Sequence, residues 1–203
     1  MTAVGWFRPD DPGFVARLDA PQREALAGVV DQVVTLLGGP AAADAGPFAL
    51  GGAPVPPPTD PAVRRLLPDA SRADPEVAAE FRRFTEADLR ASKITQLLGL
   101  RDALAGDDDR VVVPREAAPA VAAALTDVRL VVADRLGLRT DADAEALQAM
   151  LVAAEEREDD DVPFVVVLAA VYDLLGLLQA TLVDCLLDAL DEGPDADPDG
   201  RSG

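Results

Sequence analysis

Apolar positions along the chain fall into two rhythms. Near the N-terminus Gly5 to Phe7 and Phe14 to Arg17 form two short apolar runs around "RPDDPG", a spacer rich in turn formers, which predicts a small hairpin. From Asp19 the spacing changes to threes and fours. Leu26, Val29, Val30, Val33 and Leu37 recur on one helical face, Asp19 stands where a cap belongs, Pro21 falls in the first turn, and Gly38-Gly39 ends the run. A first helix is therefore expected from Asp19 to Leu37.

Residues 38–61 break both rhythms. Seven prolines and five glycines fill half of these 24 positions, so the stretch reads as a long loop with extended character around "PVPPP". Helical spacing resumes with "DPAVRRLLP", a short helix opened by Asp60 and Pro61, and with a long helix opened by Asp74 and Pro75 and closed by Gly106. Val77, Phe81, Phe84, Ala91, Ile94 and Leu98 are expected to form its buried stripe. "DDDRVVVP" predicts a strand, Arg110 to Val113, behind an acidic turn. Three more helices follow: one starting near Pro119 and ending at Gly137, one from Asp141 through "DADAEALQAMLVAA", and a strongly apolar one from Val162 to Leu190.

The expected architecture is mainly α (α+β): one domain over residues 1–190, with five to six helices and a small antiparallel sheet of two to three short strands. Residues 191–203, "DEGPDADPDGRSG", are expected to be a disordered acidic tail. A chain of 203 residues that is 49% apolar but only 4% aromatic has enough side-chain volume for one largely aliphatic core.

Charge then narrows the function. The chain carries 37 acidic and 18 basic side chains, a formal net charge of −19, and Lys93 is its only lysine. Nucleic-acid affinity rests on cations that displace condensed counterions, so direct DNA or RNA binding is disfavoured. An acidic exterior keeps a protein soluble and steers it toward basic partner surfaces. "MTAVGWFRPDDPGF" lacks the basic and apolar regions of a secretory signal, so a cytoplasmic location is expected. Asp173, Gln179, Asp184 and Asp188 interrupt the apolar stretch 162–190, which reads as a buried helix and not as a membrane span.

The chemistry available is narrow. The absence of histidine removes Ser-His-Asp and Cys-His arrangements and imidazole metal ligation, and neither GxxxxGK[ST] nor GxGxxG occurs. Asp195, Asp197, Asp199 and Gly200 resemble the start of a calcium loop but lack its closing glutamate, and "EEREDDD" at 155–161 reads as a solvated connection. No catalytic residue, cofactor or metal site is expected. Cys185 follows Val171, Leu175, Leu178 and Leu182 at helical spacings, which makes it a core residue first and a weak redox candidate second.

Arginine is concentrated in one place. Residues 64–101 hold eight cations against six carboxylates in an otherwise acidic chain. Arg82 with Glu86, Glu86 with Arg90, and Glu80 with Arg83 stand at pairing distances along the helix. Arg64, Arg65 and Arg72, around Pro68, have no such local partner. With Arg83 they are the candidate partner-binding residues, the alternative being that they tie the segment to the acidic body.

"RLLPDASRADPEVAAEFRRFTEADLR" (65–90), "LTDVRLVVADRLGL" (125–138) and "VYDLLGLLQATLV" (171–183), in this order, resemble an actinobacterial family formerly described as a domain of unknown function. That family, here termed AosR-like, is associated with an actinomycete oxidative-stress transcriptional regulator. The resemblance implies a cytoplasmic, non-enzymatic regulator in redox homeostasis that contacts a protein partner, a component of the transcription machinery. The family's redox switch lies in cysteines near the N-terminus, and this sequence has none there, so a thiol switch at that site is impossible. Two further readings stand beside it: a structural helical adaptor that homodimerises through the last helix, and a direct DNA-binding regulator.

Overall fold

The computed structural model describes residues 5–40, 56–71, 73–106, 108–155 and 164–191. Among them are nine elements in the order β1 (Gly5–Asp10), β2 (Gly13–Arg17), α1 (Ala20–Leu36), α2 (Pro61–Leu66), α3 (Pro75–Ala103), β3 (Arg110–Pro114), α4 (Ala118–Arg135), α5 (Asp141–Glu155) and α6 (Phe164–Asp191). The fold is mainly helical with one small antiparallel sheet ordered β1-β2-β3. Arg72, residues 41–55 of the proline-rich stretch, 156–161 of the acidic cluster and 192–203 of the acidic tail lie outside the described residues, while Asp191, expected in the tail, is the last residue of α6.

The helices begin where local chemistry dictates. The Asp19 carboxylate accepts from the Gln22 backbone N–H at 2.9 Å while the Gln22 side chain accepts from the Asp19 N–H at 3.1 Å, a reciprocal cap on α1. Asp60 caps α2 by accepting from Ala62 N–H at 2.8 Å, and Asp74 caps α3 by accepting from Glu76 and Val77 N–H. A proline stands in the first turn of each of these helices, where its missing N–H leaves no bond unmade. Gly38 and Gly39, both at positive φ, turn the chain away after α1.

The sheet depends on one close approach. Gly13 pairs with Pro114, and a Cβ at Gly13 would stand 2.1 Å from the Val113 carbonyl oxygen, so no larger residue fits there without separating β2 from β3. Phe14 and Ala16 of β2 and Val111 and Val113 of β3 join the core, while Phe7 of β1 packs toward α6.

Helix α4 runs through the middle, packed against α6, α3 and α2. Its buried residues include Val121, Leu125, Val128 and Val132, which meet Ile94, Leu97 and Leu100 of α3 and Leu175, Leu178 and Leu182 of α6 in one aliphatic core. Between α4 and α6, Arg129 lies over the Tyr172 ring at 4.9 Å and beside Gly176. Gln179 donates to Thr126 Oγ1 at 2.9 Å in the same interface.

One expectation is corrected. Val77, Phe81 and Phe84 are 51%, 50% and 59% exposed, whereas Ile94, Leu97 and Leu100 are buried. Thirteen residues at about 100° each place Phe81 roughly 140° around the helix from Ile94, so the two sets cannot share one face of a straight helix. The N-terminal half of α3 turns its large apolar side chains outward, and Ala78 and Glu86 face inward instead.

Candidate interaction site

The arginine segment is built on α2, the connection through Pro68, and the first half of α3. Its cations are largely committed within the molecule. Arg64 Nε donates to the Pro58 carbonyl at 2.6 Å, which holds the chain entering α2 against that helix. Arg65 Nε reaches the buried Asp134 carboxylate of α4 at 3.2 Å. Arg82 pairs with Asp69 in the connection and stands 3.8 Å from Glu86, and Glu86 accepts from Arg90 at 2.6 Å. Arg90 also donates to the Leu37 carbonyl at the end of α1, at 3.1 Å.

Arg83 is placed differently. It stands 4.0 Å from the exposed Glu80 and lies over the Phe84 ring at 4.3 Å, on the outward side of α3. The structure thus groups Arg83 with Val77, Phe81 and Phe84, and separates it from Arg64 and Arg65, which point into local and interhelical bonds. Val77, Phe81 and Phe84 stand at i, i+4 and i+7, the spacing that aligns side chains on one helix face. Their signal in the sequence was the helical period itself; the face to which it belonged required the position of α4. Beside them, at the junction with residues 67–70, is only a notch of about 20 Å³, so this is a ridge and not a pocket.

Below the surface, Lys93 of α3 donates to both Asp127 oxygens at 2.7 and 2.8 Å. Burial pushes the Asp127 carboxyl above its ordinary value even though Lys93 acts in the opposite direction, so desolvation outweighs the ion pair here. At the C-terminal end of α4, Arg135 grips Asp60 with two bonds of 3.2 and 2.7 Å. That pairing holds the Asp60 carboxyl below its ordinary range.

Cys185 is 6% exposed, and its thiol donates to the Phe7 carbonyl of β1 at 3.5 Å. Burial, with the carboxylates of Asp188 and Asp184 nearby, raises its pKa. Such a thiol holds little thiolate at neutral pH.

A cleft of about 460 Å³ lies between α1, α4 and the start of α6. Nine of its eleven lining residues are apolar, and its one charged group, Arg135, is already engaged by Asp60. Among the described residues no group of three or more Asp, Glu, Cys or His side chains is arranged to hold a metal ion.

No curated protein and no solved structure matches this chain. A family described as a domain of unknown function, DUF2017, matches residues 1–186, which takes in the sheet, the arginine segment and α6 up to Leu186. The chain belongs to the DUF2017 family.

Proposed function

We propose that this protein is a non-enzymatic regulator of the cytoplasm that acts by holding a protein partner on the outward face of α3. The observation that carries this reading is the exposed ridge of Val77, Phe81 and Phe84 with Arg83 laid over Phe84. Aromatic and arginine side chains are the residues most enriched at the energetic centres of protein interfaces, and a solvated helix has no use for three large apolar groups on one face. The ridge sits in one of the three blocks of sequence that resemble the AosR-like oxidative-stress regulators. That resemblance supplies the partner class, a component of the transcription machinery, and the setting, redox homeostasis. With no N-terminal cysteine and with Cys185 buried, regulation on this reading proceeds by occupancy of the ridge and not by a thiol switch.

The test compares the full chain with a Phe81→Ser/Phe84→Ser/Arg83→Glu variant for capture of RNA polymerase and its sigma subunits from native cytosol. Capture by the parent chain and its loss in the variant, at unchanged circular dichroism, supports the reading. Equal recovery of those subunits by both proteins, or by neither, refutes it.

A further inference from the structure

Among the described residues a further exposed apolar surface belongs to α6. Its richest 18-residue window has a mean hydropathy of 2.0, yet only 28% of that window is buried. Toward its C-terminal half the helix carries two stripes with the same spacing. Leu175, Leu178, Leu182 and Cys185 face the core, while Ala180, Val183, Leu187 and Leu190 repeat the same steps on the outer side. Leu187 and Leu190 are 54% and 76% exposed. A helix apolar on two faces is made to be covered on both.

Next to the outer stripe runs a second ridge. Asp184, Asp188 and Asp191 stand at i, i+4 and i+7, all exposed, and among the described residues none of them forms an ion pair. Helix α6 contains no lysine or arginine at all. The neighbouring cation is Arg115, which shares a cleft with Asp188 and Asp191 and lies over the Phe14 ring at 5.3 Å.

This charge pattern selects among possible covers. An antiparallel second copy would set one aspartate ridge against the other with no cation on either helix to separate them. A bilayer would have to take up carboxylates beside the leucines, and its anionic surface repels a chain of net charge −19. A partner helix with an apolar stripe flanked by lysine or arginine satisfies both ridges together. We propose that the outer face of the C-terminal half of α6 docks a basic amphipathic helix of a partner protein. This surface is separate from the α3 ridge, so either proposal stands or fails without the other.

The test uses the full chain and two fluorescein-labelled peptides of about 18 residues, long enough for five helical turns. Both carry leucines at i, i+3, i+7 and i+10; lysines flank them in one and glutamates in the other. In fluorescence anisotropy the lysine peptide binds, more weakly as salt rises, and the glutamate peptide does not. Asp184→Lys/Asp188→Lys inverts that preference, Leu187→Glu weakens lysine-peptide binding by about tenfold or more, and Phe81→Ser/Phe84→Ser leaves it unchanged. These positions are exposed, and circular dichroism verifies that each variant is folded. Equal lysine-peptide binding by the parent and the Asp184→Lys/Asp188→Lys variant would reduce the effect to general acidity and overturn the proposal. So would a homodimer in sedimentation equilibrium, or adsorption to phosphatidylcholine vesicles, that Leu187→Glu abolishes.

Discussion

Single side chains show how this core accommodates charge. Lys93 and Asp127 are the clearest case, because the carboxylate is nearly sealed from water and depends on one ammonium. Lys93→Met would leave Asp127 buried without its partner, a change that costs about 3 kcal/mol or more when a buried pair is broken from one side. Urea denaturation at neutral pH measures it, and Lys93→Met/Asp127→Leu is expected to recover most of the loss. The pH dependence has a definite sign. Asp127's folded pKa is raised, so the stability it contributes is full below the ordinary carboxylate value and declines as pH rises through the folded value. The deficit of Lys93→Met should therefore shrink on acidification, when the lone carboxyl takes up a proton. Cys185 illustrates burial without charge: its alkylation by iodoacetamide in the native protein should run at less than about a tenth of the rate in urea, since both access and thiolate are scarce. A native rate equal to the denatured one would remove Cys185 from the core.

Whole elements were legible in the sequence wherever their signals are local. The caps at Asp19, Asp60 and Asp74 each lie within three residues of the N–H groups they satisfy, and the pairs of Glu86 with Arg82 and Arg90 lie within one helical turn. The small antiparallel sheet was legible as well, but the side chains that meet across helices were not. The outward face of Val77, Phe81 and Phe84 depends on where α4 meets α3, and the partner of Arg65 lies on α4, far along the chain. The Asp60 site joins both kinds of information, for it caps α2 locally and binds Arg135 of α4 at a distance. Asp60→Asn keeps a capping oxygen and loses the charge, whereas Asp60→Ala loses both. The alanine variant should cost about 1–2 kcal/mol and the asparagine variant clearly less. Asp60's depressed pKa adds a pH signature opposite to that of Asp127: its contribution is present above the ordinary carboxylate value and is lost as pH falls through the folded one. Thermal melts of the two variants between neutral and acid pH separate cap from ion pair.

At the scale of the molecule, the excess of carboxylates opposes the compact state while the internal ion pairs support it. The two respond differently to salt. The pairs that fasten the arginine segment and the sheet, such as Arg17 with Asp109 at 2.7 Å and Arg65 with Asp134 at 3.2 Å, act over distances too short for counterions to intervene fully. Repulsion within a net charge of −19 is spread over the surface, at separations comparable with or longer than the screening length. Raising ionic strength from about 10 mM to about 150 mM shortens that length from roughly 30 Å to roughly 8 Å, so it removes more repulsion than attraction. The melting temperature should accordingly rise over this range, followed by circular dichroism or by the emission of Trp6, the only tryptophan. A fall would mean that the ion pairs contribute more than the dispersed acidic charge removes. The same screening should weaken a basic helix on the three aspartates of α6 more than a partner on the α3 ridge, where Arg83 lies beside three apolar side chains, so one salt titration reads the stability of the fold and distinguishes these two surfaces.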